Sequence, residues 1–380
     1  MTRQTTLGSI ALALPLLAAS CASRSVELTA PDPNVIGTLH EQVLQIAVDE
    51  QRVYFLTRGI GGSQASAGLR SCAKDHCGSS LITYSQEAAD ATAGFGLSNG
   101  QVYWFERFET TERLVSCPSS GCAGSPRNVS DPALVSSSVL LTEAVFDADS
   151  AYFCRYADPN EHGFSGNVGE RIVRVPLSGS NASPELVATA GRVLSLTVQD
   201  DYVYWLGHDL PQQNPADVFI ARARKDGAGG TEQLASRIRW LPQSAGAIQS
   251  PHLGLAVAGG FVYWSENIIL GSIKRCPISG CAGEPEIVAT PLAFPLGLMI
   301  DGSNLYWAYR GDAFSYSIAS CTAANCEPLG LVHGSTAGNA LTHDDSYFYT
   351  ATTETPFNDY DQWHDIEATI RRFPTSVVGQ

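Results

Sequence analysis

Cysteine is the residue type whose spacing in this chain most clearly indicates chemistry. Eight of the ten cysteines form four pairs, and the members of each pair are five positions apart. Two pairs enclose the sequence Pro-x-x-Gly, in which Pro suits the entry of a tight turn and Gly its exit. In an oxidising compartment such pairs predict disulfides that close hairpins. The pairs are Cys72–Cys77, Cys117–Cys122, Cys276–Cys281 and Cys321–Cys326.

A second set of candidate residues combines carboxylates with histidine in acidic segments of the chain. Oxygen-rich loops that also contain histidine could bind Ca²⁺ or another divalent metal. The segment 352–365 lacks the glycine of a calcium loop, which favours a solvated acidic loop instead. Its tryptophan is a candidate contact for a binding partner. The candidate binding residues of these segments are His162, His208, Asp359, Asp361, Trp363 and His364.

The elements that must position these residues follow from a repeat. Seven times along the chain a Tyr is followed by Trp or Phe, at intervals of 41 to 59 residues. A repeat of about 40–50 residues with several strands per unit is typical of a β-propeller. We therefore expect the paired aromatic residues to form the core between blades. The tyrosines are Tyr54, Tyr103, Tyr152, Tyr204, Tyr263, Tyr306 and Tyr347.

A second marker supports seven units with four strands each. In every unit an aliphatic residue stands three positions before the end of the third strand, which is Cys72 in the first unit and Phe373 in the last. Too few residues follow Phe373 to complete the last unit, whereas the segment 34–39 matches the fourth-strand pattern. We predict an all-β, seven-bladed β-propeller over 34–380, closed by this N-terminal strand, which removes an open sheet edge.

Three charged residues share one position of the repeat, three residues after the Tyr: Glu106, Arg155 and Glu266. We expect them near the mouth of the central channel, as a polar funnel or as salt bridges at strand ends. His252 lies in a connection between two units and is a further candidate. A divalent metal held there would allow metal-assisted enzyme chemistry. Because no histidine recurs at a fixed place in the repeat, no metal or cofactor is assigned with confidence.

The N-terminus resembles an export signal. Residues 1–20 contain one charge, Arg3, followed by an apolar stretch that is too short to span a membrane. Cys21 follows small residues, as in a bacterial lipoprotein cleavage site, and we predict it to be the lipidated first mature residue. Residues 22–33 would then be a linker. The predicted location is the periplasm or the cell surface, as an outer-membrane lipoprotein, with plain secretion as the alternative.

The formal net charge of −15 restricts the classes of partner. Nucleic-acid binding requires clustered Lys and Arg, so this composition argues against it. A membrane would be contacted only through the lipid anchor, and we expect a monomer. Cys154 is left outside the four pairs at a position that is apolar in most other units. The sequence therefore predicts a buried, unreactive thiol there.

Several segments carry a resemblance to a known family. IDGSNLYW, SNGQVYW and AGGFVYW resemble the strand–turn–strand core of YWTD-type propellers and of related secreted bacterial repeat propellers. The Thr-Asp of that family is missing here, and YWTD propellers have six blades. The resemblance implies an extracytoplasmic, lipoprotein-type protein with a binding or scaffolding role, and it carries no enzymatic activity.

Two functional hypotheses follow. The first is a non-catalytic module that binds a protein or a glycan through the loops between second and third strands. The second is a propeller enzyme of the lyase or lactonase type that holds a divalent metal at the channel mouth. The first is favoured, because no catalytic motif stands out and fold alone assigns no activity.

Overall fold

The computed structural model describes most of the repeat region. Within it no helix is long and apolar enough to cross a membrane. The described residues are 34–39, 41–58, 68–78, 80–85, 94–108, 111–131, 144–156, 170–208, 218–239, 254–266, 268–310, 316–323, 325–333, 340–354 and 367–375. The predicted signal, linker and lipidation site at Cys21 therefore lie outside the described residues.

The described residues form 28 strands. In chain order these are β1 (Val35–Leu39), β2 (Gln42–Val48), β3 (Arg52–Arg58), β4 (Gly68–Ala73), β5 (Ile82–Ser85), β6 (Phe95–Ser98), β7 (Gln101–Phe108), β8 (Thr111–Pro118), β9 (Arg127–Asn128), β10 (Val145–Phe146), β11 (Ser150–Tyr156), β12 (Glu170–Pro176), β13 (Glu185–Ala190), β14 (Arg192–Gln199), β15 (Tyr202–His208), β16 (Val218–Arg224), β17 (Thr231–Ile238), β18 (Leu255–Ala258), β19 (Phe261–Ser265), β20 (Gly271–Pro277), β21 (Glu286–Leu292), β22 (Leu296–Asp301), β23 (Asn304–Arg310), β24 (Tyr316–Thr322), β25 (Asn325–His333), β26 (Ala340–His343), β27 (Tyr347–Glu354) and β28 (Glu367–Pro374).

The strands form seven four-stranded antiparallel sheets, which are the seven blades of a β-propeller. Blades 1 to 6 are β2–β5, β6–β9, β10–β13, β14–β17, β18–β21 and β22–β25. Blade 7 has the order β1-β28-β27-β26, so its outer strand comes from the N-terminal end of the repeat region. The first strands of neighbouring blades contact one another around the whole ring. The prediction of seven blades with an N-terminal closing strand is confirmed.

Closure depends on a close approach between β1 and the hairpin of blade 1. The backbone N–H of Cys77 donates a hydrogen bond to the carbonyl of Ile36 at 2.7 Å. A Cβ at Gly37 would lie 2.7 Å from the Cβ of Cys77, which is closer than two carbon atoms can pack. Glycine at position 37 therefore allows the first hairpin to lie against the closing strand.

The repeated aromatic residues form the core between blades, as expected. Tyr204 of blade 4 and Trp264 of blade 5 belong to one buried cluster, and both are almost fully shielded from solvent. Across the junction of blades 2 and 3, the rings of Phe105 and Phe153 meet edge-to-face with centroids 4.9 Å apart. Burying such a ring contributes about 1.5–3 kcal/mol, so these pairs provide much of the adhesion between blades.

The predicted tyrosine of blade 7 is wrong by two residues. In the other blades the repeat Tyr pairs with the residue just before the third-strand marker, as Tyr54 pairs with Ser71. In blade 7 the equivalent residue, Arg372, pairs with Tyr349, whereas Tyr347 pairs with Pro374. The two tyrosines are two positions apart and therefore face the same side of the strand. The sequence pattern selected Tyr347 because it is the one followed by Phe.

The four predicted disulfides are present, with Cα atoms 4.7 to 5.3 Å apart. Each closes the turn between the third and fourth strands of blades 1, 2, 5 and 6. Cys154 forms no disulfide and is buried within the core cluster shared by blades 3 and 4, which confirms its predicted burial. The four disulfides are consistent with an oxidising, extracytoplasmic environment.

Candidate functional site

The two ends of the blades differ in the chain segments that they carry. We call the end with the first-to-second and third-to-fourth strand turns the turn face. In blade 1 it comprises the turn at 49–52 and the hairpin closed by Cys72 and Cys77. We call the opposite end the loop face, which in blade 1 begins at the paired residues Thr57 and Gly68. Ligand sites of a scaffold are commonly built on connecting loops, so the loop face is the candidate functional surface.

The turn face contains a recurrent motif that the sequence analysis missed. In blades 1, 3 and 7 an Asp accepts hydrogen bonds from the backbone N–H groups two and three residues later, and from the hydroxyl of the repeat Tyr five residues later. The hydroxyl–carboxylate distances are 2.5, 3.1 and 2.9 Å. The spacing Asp-x-x-x-x-Tyr was the available signal. The pairs are Asp49–Tyr54, Asp147–Tyr152 and Asp344–Tyr349.

Two of these aspartates also join neighbouring blades. Lys225 of blade 4 lies 2.7 Å from the carboxylate of Asp147, and Lys74 of blade 1 lies 2.5 Å from that of Asp344. Burial opposes ionisation of Asp344, but the hydrogen bonds from Lys74 and the turn outweigh it and lower the pKa of that carboxyl to about 2. Burial and the adjacent carboxylate together raise the pKa of Tyr349. The turn face is thus fixed by satisfied polar groups.

Blades 2 and 5 use a different turn at the same place. Asn99 and Gly100 both have positive φ, of 50° and 68°, and so do Gly259 and Gly260, of 58° and 80°. Positive φ at both central residues is the geometry of a tight hairpin turn whose twist matches that of the strands. Hairpin geometry alone therefore connects these strands, without an aspartate.

At the loop face, the structure places Glu106, Arg155 and Glu266 at equivalent strand ends of blades 2, 3 and 5. Glu106 is paired across the strands with Arg113, and their charged groups are 3.3 Å apart. In blade 1 the same end carries an ion pair between Arg70 and Glu41. The two carboxylate oxygens of Glu41 accept hydrogen bonds from the two terminal nitrogens of the Arg70 guanidinium. Both ion pairs lie at the loop-face end of a single blade, and Glu41 belongs to the connection that enters blade 1.

Glu266 is the most buried of the three and is held by three donors. Its side chain is 4% exposed, and its oxygens accept hydrogen bonds from Lys274 at 2.8 Å and from Ser272 at 2.9 Å. The backbone N–H of Arg239, which leaves blade 4, lies 3.4 Å away. Glu266 therefore connects blade 5 to the preceding blade.

Arg155 differs from the two glutamates. Its partner across β11 and β12 is Arg171, a second cation. The Nε atom of Arg155 is shielded from solvent and has no hydrogen-bond partner in the described part of the chain. Burial, together with the charge of Arg171, lowers the pKa of Arg155. Arg171 was not predicted from the sequence, although it shares its repeat position with Arg113.

The loop face of blade 5 also carries two exposed aliphatic side chains, Ile269 and Leu270, which are 65% and 71% exposed. The turn that contains them is closed by a hydrogen bond of 3.0 Å from the N–H of Gly271 to the carbonyl of Ile268. Leu270 has a φ of 59°, at a turn position that usually requires Gly or Asn. A bulky residue held with positive φ in solvent is a strained feature that often marks a functional site.

The remaining candidates are placed as follows. His208 ends β15 at the loop face of blade 4. Among the described residues, no group of three or more His, Cys, Asp or Glu side chains is arranged to hold a metal ion. The candidates His162, His252, Asp359, Asp361, Trp363 and His364 lie outside the described residues.

No protein-family model matches the chain, and no curated protein matches it significantly. Among solved structures, it is similar to a prolyl endopeptidase with a TM-score of 0.57 and 14% identity, over 91% of this chain and 48% of that one. It is also similar to the acylaminoacyl peptidase of Pyrococcus horikoshii, with a TM-score of 0.56 and 9% identity, over 82% and 49% of the two chains. The computationally designed protein Ika8 matches with a TM-score of 0.50 and 9% identity, over 89% and 98%.

These similarities define the class of the protein as a β-propeller. The chain spans about half of the length of the two peptidases that it matches. At such low identity the likeness concerns the fold alone, and activity has to be argued from the site.

Proposed function

We propose that this protein is an exported, lipid-anchored propeller that binds a protein or a glycan through its loop face and does not act as an enzyme. The observation that carries the proposal is the exposed pair Ile269–Leu270, with Leu270 in a left-handed conformation at the loop face. Exposed aliphatic residues held on a strained turn contribute to binding a partner and add nothing to the core.

The position of the closing strand is compatible with binding at the loop face. The carbonyl of Asn34 accepts a hydrogen bond of 2.8 Å from the N–H of Arg372, next to the turn-face end of β28. The chain therefore enters the propeller at the turn face of blade 7. The proposed linker of residues 22–33 would join the propeller at that face.

The four disulfides support the exported location, because such bonds persist in oxidising compartments. The charged strand ends support a binding role over a catalytic one. Glu266 is occupied by donors of its own chain, and Glu106 is paired with Arg113. Both carboxylates are thus engaged by cationic side chains of their own strands' neighbours.

Photo-crosslinking in the producing cells tests the proposal. A photoreactive amino acid replaces Ile269 in the full chain, and the matched control carries it at Ile287, which is 56% exposed on the outer strand of the same blade. We expect one defined adduct from position 269, identified by mass spectrometry as protein or carbohydrate. Equal labelling from both positions would contradict the proposal.

Elemental analysis of the protein purified without chelator provides a separate check. About one tightly bound divalent ion per chain would favour the metal-dependent lyase or lactonase hypothesis, and mutations would then be directed to His252, Glu266 and Glu106. A mature chain that starts with an unmodified residue would refute the lipid anchor and leave the binding role untouched.

A further inference from the structure

The feature with the clearest unexplained chemistry is the arginine pair of blade 3. Arg155 and Arg171 are direct neighbours across β11 and β12 at the loop face. The Cβ atoms of directly opposed residues in an antiparallel sheet lie about 4.5–5.5 Å apart, and like charges at this separation are destabilising. In a chain with a net charge of −15, two adjacent cations are not a consequence of composition.

At the loop-face ends of three other blades, a cation of the third strand has a carboxylate as its partner. Arg113 of blade 2 is paired with Glu106, and Lys274 of blade 5 with Glu266. In blade 1, Arg70 is paired with Glu41. Blade 3 has Arg171 at the position of Arg113, but it has Arg155 where blades 2 and 5 have glutamate.

The guanidinium of Arg155 is only partly accessible and is incompletely satisfied. Its Nε is shielded from solvent and has no hydrogen-bond partner among the described residues. Glu170, which precedes Arg171, uses one of its oxygens to accept a hydrogen bond of 2.7 Å from the N–H of Val193 in blade 4. Within the described part of the chain, no ion pair joins a carboxylate to Arg155 or Arg171.

We propose that Arg155 and Arg171 form a binding site for an oxyanion, a carboxylate or phosphate group of the ligand that the loop face receives. Guanidinium groups present planar forks of N–H donors that match the oxygen pairs of such groups. An anion between the two side chains would replace the repulsion with two charge-assisted interactions. This inference rests on the proposed function only for the identity of the ligand, because affinity for a simple oxyanion is measurable on its own.

Urea unfolding of the full chain, with and without added oxyanion, tests the site. The probes are inorganic phosphate and acetate, each compared with chloride at the same ionic strength. The variants are Arg155→Gln and Arg171→Gln. The control is Arg174→Gln in the same strand, whose side chain pairs with the exposed Glu185 at the other end of the blade.

We expect two effects of opposite sign. Without a probe, Arg155→Gln and Arg171→Gln should unfold at a higher urea concentration than the wild type, because the repulsion is removed. With a probe, the wild type and Arg174→Gln should be stabilised in a saturable way, whereas the two site variants should bind at least tenfold more weakly. A response to phosphate alone would identify a phosphate group, and a response to acetate alone a carboxylate.

The inference is overturned if neither oxyanion stabilises the wild type more than chloride does. It is also overturned if Arg155→Gln lowers stability without a probe, since the pair would then have a carboxylate partner within this chain. Neither outcome depends on crosslinking at Ile269, so failure here and failure of the proposed function are distinguishable.

Discussion

The turn face and the loop face of the propeller are built on the same strands, yet they treat charge in different ways. At the turn face, Asp147 and Asp344 satisfy a turn, a tyrosine and a lysine of the next blade. At the loop face, Arg155 and Arg171 repel each other, and Leu270 lies in solvent with a strained backbone. The difference is the reason why the proposed oxyanion site and the proposed contact surface both lie at the loop face.

Removing a turn-face carboxylate should have the greatest effect on stability. Asp147→Ala leaves Lys225 and the hydroxyl of Tyr152 without their partner and removes two backbone caps. We expect a loss of about 2–4 kcal/mol in the free energy of unfolding, measured with urea. The control is Asp226→Ala, an exposed aspartate that also caps a turn, and it should cost well under half as much. Equal losses would mean that the bond between blades is unimportant.

Removing a hairpin disulfide should cost less. Replacing Cys117 and Cys122 with alanine opens a short covalent loop at the turn face, and the chain-entropy model predicts a loss of about 2 kcal/mol. Ser119→Ala within the same hairpin keeps the bond and should unfold like the wild type. If the double variant has the same free energy of unfolding as the wild type, this disulfide does not stabilise the turn face.

Acid should weaken the turn face within a defined range of pH. The pKa of Asp344 in the folded protein is about 2, below its ordinary value of 3.8. A depressed pKa contributes stability above the unfolded value, so this contribution of about 1–2 kcal/mol should be lost as the pH falls from about 4 to about 2. Melting temperatures between pH 2 and 7 measure it. In Lys74→Met the loss over this range should be smaller, because the pKa of Asp344 in the folded protein moves toward its ordinary value. An unchanged profile would exclude this ion pair as the cause.

The corrected register of blade 7 gives a smaller and more specific effect. Tyr349→Phe removes the hydroxyl that donates to Asp344 at 2.9 Å and should cost about 1 kcal/mol. Tyr347→Phe keeps the ring beneath the guanidinium of Arg372 and should cost close to nothing. Urea unfolding distinguishes the two variants. A larger loss of stability in Tyr347→Phe than in Tyr349→Phe would show that Tyr347 is the repeat tyrosine of blade 7.

At the loop face the expected change in stability is the smallest and has the opposite sign. Leu270→Gly places glycine at a φ of 59°, which relieves backbone strain and should stabilise the fold by about 0.5–1 kcal/mol. The same variant should reduce crosslinking from position 269. Loss of stability would show that Leu270 is a structural residue.

Much of the fold could be predicted because each blade repeats the same sequence features. The aromatic pair and the third-strand marker occur in step, so seven blades and the closing segment 34–39 could be inferred without any single decisive residue. The register error at Tyr347 arose where the strand offers two tyrosines two positions apart. Periodicity fixes the side of a strand that a residue faces, but it does not fix the position along it.

The candidate site was less accessible to sequence reasoning. The shared position of Glu106, Arg155 and Glu266 could be predicted from the repeat, and the structure places all three at strand ends of the loop face. Their partners come from the third strand or from the preceding blade, and connection lengths vary, so spacing alone did not identify Arg171. The pair Ile269–Leu270 was missed because two aliphatic residues in a short connection look like core.

The closing strand has a mechanical consequence. Because β1 is both the first strand of the repeat region and the outer strand of blade 7, any pull on the segment before Asn34 is transmitted first to the hydrogen bonds between β1 and β28. Tension on a tether would therefore separate β1 from β28 before it unfolded any complete blade. The hairpin of Cys72 and Cys77 in blade 1 lies against Gly37 and so packs on β1 from the neighbouring blade.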